Sequence, residues 1–122
     1  MKTFTLALAA ATTLAFAAPA SAQTAVDRPL TAEETADIQC MAIYSLVAAQ
    51  GQTEAGALGV FYFLGRLEGR DPAQDWLRRL QQFADGATQA DVAPHSERCG
   101  QAIMEKAETM QRVGAEMTAQ ED

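Results

Sequence analysis

The sequence has little of what most protein chemistry needs. Its 122 residues hold one histidine, His95, and two cysteines, Cys40 and Cys99. That is too few soft ligands for a zinc site. The two cysteines are also too far apart in the chain to form a Cys-x-x-Cys redox pair. Ser96 and Glu97 follow His95, but neighbours on one helical turn point in different directions, whereas a catalytic triad needs convergence. Glu105, Glu108 and Asp37 carry no calcium-loop pattern. No apolar run reaches the roughly 20 residues that span a bilayer. Positive charge is scarce, with nine Lys and Arg against sixteen Asp and Glu and a formal net charge of −7. Such a surface repels nucleic acid and anionic lipid. The expectation is a protein that is not an enzyme, holds no metal or cofactor, binds no nucleic acid and does not stay inserted in a membrane.

What is present begins with an export signal. Lys2 supplies a short positive start, and Phe4 to Ala18 is uncharged and mostly apolar. Pro19 breaks that run, and Ala20-Ser21-Ala22 gives the small-x-small form that signal peptidase cuts. Residues 1–22 therefore read as a cleaved secretory signal, and the periplasm as the destination. Lys2 leaves with the signal, so the mature net charge becomes −8. Residues 23–122 suffice for one domain with a modest core. In an oxidising compartment Cys40 and Cys99 are expected to form a disulfide. Closing so long a loop is worth about 4 kcal/mol in the chain-entropy model.

The remaining pattern is helical. Residues 23–30 read as an extended lead-in. Thr31-Ala32-Glu33-Glu34 is a capping box, opening a first helix that runs to about Gln50, with Ile38, Met41, Ala42, Ser45 and Ala49 on one face and Gly51 closing it. A second helix is expected from Thr53 to about Gly69. Its Val60–Leu64 stretch is apolar on every side, which suits a central helix surrounded by others. A buried strand would also fit, but no second strand candidate exists to pair with it. Asp71-Pro72-Ala73-Gln74 reads as the start of a third helix. This helix carries Trp76, Leu77, Leu80, Phe83 and Ala84 as its apolar stripe and an Asp75–Arg79 pair on the other side. Residues 86–93 read as a loop. A last helix starts between Asp91 and Ser96 and carries Cys99, Ile103, Met110, Val113 and Met117 in one stripe, with Lys106 in the seam. The fold expected is an all-α, four-helix bundle-like domain over residues 31–118, stapled by one disulfide, with a frayed tail at 119–122.

Two surfaces stand out as candidates. Gly56, Gly59, Gly65 and Gly69 cost helix stability at roughly 1 kcal/mol each. They are expected to let another backbone come close, either the first helix or a second subunit in a homodimer. Phe61, Phe63, Trp76 and Phe83 are candidates for an apolar contact or for a pocket holding a small apolar ligand. Met41, Met104, Met110 and Met117 read mainly as core filler, with an adaptable contact surface as the alternative. Glu33, Glu34 and Asp37 read as solvated.

The layout resembles the small periplasmic acid-stress chaperones of the HdeA type. The features that carry the likeness are the exported leader, Cys40 early, the apolar helix from Gly59 to Gly65, and Cys99 late. The resemblance spans most of residues 31–118. It implies a small helical protein that binds other proteins when acid loosens its fold. This sequence departs from that pattern in its longer inter-cysteine segment, its poverty in lysine and its Arg-rich turn Gly65-Arg66-Leu67-Glu68-Gly69-Arg70.

Overall fold

The computed structural model describes residues 27–120. The expected signal at 1–22, the first part of the lead-in (23–26) and residues 121–122 of the tail lie outside the described residues. Among the described residues every regular element is helical: α1 (Ala32–Ala49), α2 (Thr53–Arg70), α3 (Trp76–Gly86), a single turn α4 (Gln89–Val92), a 3₁₀ turn (Ala93–His95) and α5 (Ser96–Ala119).

α1 starts where its capping box requires. The Thr31 hydroxyl accepts from the Glu34 N–H, and the Glu34 carboxylate accepts from the Thr31 N–H. It stops at a Schellman turn. The Gly51 N–H donates to the Ala48 carbonyl and the Gln52 N–H to the Val47 carbonyl, 3.1 and 3.2 Å away. Gly51 sits at φ 96°, where only glycine is free of strain.

α1 and α2 form an antiparallel pair whose register can be read at both ends. Near the start of α1, Asp37 accepts from Arg66 and Arg70, and Glu33 lies 3.6 Å from Arg70. Near its end, Gly59 lies against the ring of Tyr44 and Gly56 against the backbone of Ala48, so close that a Cβ at either glycine would overlap its neighbour. Gly65 and Gly69, grouped with them in the sequence, face open space. They lie on the side of α2 that nothing covers.

The helix at the centre of the molecule is α1 rather than α2. α1 packs along α2 and also touches α3, α4, the 3₁₀ turn and α5. The core is Ile38, Cys40 and Met41 from α1, Phe63 and Leu67 from α2, Trp76 from α3 and Cys99 from α5. The Val60–Leu64 stretch is therefore not enclosed: Phe63 is buried, while Phe61 beside it is 69 % exposed. Cys40 and Cys99 are joined by the disulfide, with their Cα atoms 5.4 Å apart.

α3 begins later than its sequence signal. Asp71 and Pro72 form a turn, and the helix starts at Trp76 with Asp75 as its cap, accepting from the Arg78 N–H at 3.0 Å. Asp71 is committed elsewhere. Its carboxylate holds Arg28 and the Ala73 N–H, and its carbonyl accepts the Trp76 indole N–H at 2.9 Å. The expected Asp75–Arg79 pair does not form, because Arg79 turns toward Asp27 and the Arg28 carbonyl. The expected loop at 86–93 contains α4, capped by a Thr88–Asp91 box. In α5 the expected apolar stripe is buried only at its start. From Met104 onward every residue is exposed, and Ala119, placed in the frayed tail, still closes the helix.

Candidate functional site

Three features of this fold can meet something outside it. The first is a charged clamp. Glu34 and Asp37 are only 3 % and 4 % exposed, although the sequence placed both in a solvated face. They are tolerated there because each is paired. Arg28 grips Glu34 with two nitrogens at 2.8 and 2.6 Å and reaches Asp71 at 2.8 Å. The Arg28 hydrogen bonds pull the Glu34 carboxyl down to about 2, against the opposing effect of burial, and the Thr31 N–H adds to the pull. Beside this, Asp27 accepts from Arg78 and Gln82. The Gln82 hydrogen bond is the main reason its carboxyl lies below the ordinary range. The clamp thus ties residues 27–30 to α1, to the α2–α3 junction and to α3. A sequence signal did exist. Glu33 and Asp37 on α1, and Arg66 and Arg70 on α2, are each spaced by four, which is one face of a helix. Only the antiparallel register turns the two pairs toward each other.

The second feature is an apolar cleft of about 380 Å³ between α1, α3 and α4. Leu46, Leu77, Leu80, Phe83 and Val92 supply most of its wall, with Gln81 and Gln89 among the polar residues that line it. Of the four aromatics proposed for a pocket, only Phe83 lines this one. Phe63 and Trp76 are core residues, and Phe61 stands on the outer side of α2. A one-dimensional pattern marks these rings as apolar but does not say which element covers each.

The third is the space between α2 and α5. Tyr44, Ala55, Leu58, Gly59 and Tyr62 form one wall, and Ile103, Lys106, Ala107 and Met110 the other, around a cleft of about 480 Å³. Burial raises the Tyr44 hydroxyl above its usual value. Past Met110, itself 67 % exposed at the edge of this cleft, α5 continues to Met117, which is 65 % exposed. The sequence pattern favours core filler for Met104, Met110 and Met117. Of the four, only Met41 fills the core; the other three are on the surface, with Met110 in the open wall of the α2–α5 cleft and Met117 beyond it. His95 sits in the 3₁₀ turn between α4 and α5, and no three His, Cys, Asp or Glu side chains gather as a metal cage among the described residues. No helix of the described residues is long and apolar enough to cross a membrane.

No family model matches the chain, and no curated protein or solved structure matches it either.

Proposed function

We propose that this chain is an exported, non-enzymatic module of the periplasm that works through protein–protein contacts. One observation carries the reading: the second half of α5 is a helix standing free of the core with Met104, Met110, Val113 and Met117 exposed along it. Leu58 on α2, which lines the same cleft as Met110, is exposed as well. Methionine side chains adapt their shape to what they touch, and an uncovered apolar face of this extent marks a contact site. Export is supported by the leader pattern at residues 1–22 and by a disulfide of the kind that persists in oxidising compartments.

The activity we assign to this surface is holding other proteins' exposed apolar segments under acid stress. The layout resemblance to HdeA-type chaperones supports it, and so does the charged clamp. Acid strong enough to protonate its carboxylates turns an acidic chain cationic. Glu34 resists protonation down to about pH 2, so its pair with Arg28 outlasts the ordinary carboxylate range. The test is light scattering from an aggregating client at pH 2–3 and at pH 7. Suppression at equimolar protein, reduced in a Met110→Glu/Val113→Glu variant, is the expected result. No suppression at either pH, even in excess, removes the reading.

The second reading is a carrier of a small apolar ligand, favoured by the cleft between α1, α3 and α4 and its almost wholly apolar wall. Cavities of this volume are at the lower end of those that hold ligands. Saturable binding of an apolar fluorophore, abolished by Leu80→Arg and unaffected by Met117→Glu, would put this reading first.

A further inference from the structure

α5 carries one seam along most of its length. Cys99, Ile103, Lys106, Met110, Val113 and Met117 follow at steps of four, three, four, three and four. That is the spacing with which two helices wind around each other. The fold uses the seam unevenly. Cys99 is fully buried, and Ile103 is half-buried against the core. Lys106 and Met110, with Ala107 beside them, line the cleft facing Leu58 and Tyr62 of α2. Val113 and Met117 continue the same face past the cleft, both exposed. One surface thus passes from occupied, to half-walled, to bare.

Two further features say what fits it. Gly100, Ala107 and Gly114 recur every seven residues on one flank of the seam, so a second helix can lie close. Charge then selects the helix. From Met104 to Gln120, Glu105, Glu108 and Glu116 are set against Lys106 and Arg112. This stretch is nearly neutral within a chain of formal net charge −7, so two copies of it meet with little repulsion. Lys106 stands in the seam itself and has no ion-pair partner among the described residues.

Taking the exposed half of α5 as a contact surface, as in the proposed function, we infer that its partner is α5 of a second copy of this chain, running antiparallel. Setting Met110 of one copy against Val113 of the other fixes the register. Met117 of the second copy then comes level with Lys106, and Glu116 of the second copy comes level with Ala107, one residue from the Lys106 ammonium. Leu58 and Tyr62 close over Met117 of the second copy. The pairing is two-fold, so each contact occurs twice and both clefts are filled. The seams alone amount to little more than two heptads. Stable interfaces cover roughly 1,200 Å² or more, and the cleft walls supply the additional surface. No core residue moves, so each copy keeps its fold.

Sedimentation equilibrium of the oxidised chain at pH 7, from about 1 µM to about 500 µM, reads the pairing directly. The dimer mass is expected within that range. Met110→Glu/Val113→Glu should weaken association by about 100-fold while leaving the helical circular dichroism unchanged. Lys106→Glu should weaken it as well, and adding Glu116→Lys should restore it. A wild-type chain that stays monomeric at the highest concentration overturns the inference, as does a Lys106→Glu loss that Glu116→Lys does not rescue. Saturable binding of a long-chain carboxylate to a monomer would assign the cleft to an amphiphile and overturn it too. Suppression of client aggregation is a separate readout: a monomer that still suppresses aggregation sinks the pairing and leaves the chaperone reading standing.

Discussion

The two halves of α5 share one helix and almost nothing else. From Ser96 to Ile103 it is held by the disulfide to α1, by Arg98 reaching Gln39 and by Ile103 packed on the core. From Met104 to Ala119 its hydrogen bonds among the described residues stay within the helix: its own backbone, the Thr109 and Thr118 hydroxyls on carbonyls one turn back, and an exposed Arg112–Glu116 pair at 3.0 Å. The second half stays helical because the first half has already met the cost of nucleation. Ala, Glu, Met, Gln and Lys then propagate it cheaply. A helix can therefore outrun its packing. What sticks out keeps the apolar pattern of a buried helix, and a reader of the pattern takes it for core.

By that contrast, damage to the packed region should dominate. Phe63→Ala is expected to cost about 3–5 kcal/mol, the usual range for a buried aromatic, in urea denaturation. Replacing both Cys40 and Cys99 with Ser should cost about 4 kcal/mol, which in a chain of this size lowers Tm by about 15–30 °C. A loss below about 1 kcal/mol in either case would mean that the α1-centred core is not what stabilises the fold.

The glycines sharpen the comparison within α2 alone. Gly59→Ala drives a methyl into the ring of Tyr44 and should destabilise by about 1–3 kcal/mol. Gly65→Ala meets open space and should stabilise by up to about 1 kcal/mol, since alanine is the better helix former. Equal effects in thermal melts would mean that α1 and α2 are not in the register described.

Acid tests the clamp. The Glu34 carboxyl is held below its ordinary value, so its contribution is full above about pH 4.5 and is lost as pH falls through about 2. Glu34→Gln should lower Tm at pH 6, and the gap to wild type should close between pH 4.5 and 2. A gap that stays constant to pH 2 would show that Glu34 is not paired in solution.

The smallest effect belongs to the arm. Met117→Ala should change unfolding free energy by no more than about 0.5 kcal/mol at concentrations where the chain is monomeric, because the residue is largely exposed in its own fold. A larger loss would mean that the arm folds back on the core.

Much of this architecture could be read from the residues. The Thr31–Glu34 box, the Gly51 stop, the disulfide and the presence of four main helices all follow from local rules. The start of α3 was misread because Asp71-Pro72 is a good local cap, and nothing nearby in the sequence reveals that Arg28, 43 residues earlier, takes its carboxylate. The two buried acids were missed for the same reason: Glu34 and Asp37 look solvated until Arg28, Arg66 and Arg70 arrive from other elements. Of the aromatic candidates, Phe83 alone lines the α1–α3–α4 cleft, because placing a ring in a pocket depends on what the other helices leave uncovered.

By itself, then, the sequence determined where α1, α2 and α5 run and which two sulfurs join, since capping, helical period and a two-cysteine count act within short range or admit one solution. Tertiary structure alone decided that α1 is the centre, that two of four glycines touch a neighbour, that two acids are buried in ion pairs and that half of α5 is bare. Each of those depends on which surfaces face each other, and helical periodicity fixes a face without saying what lies opposite it.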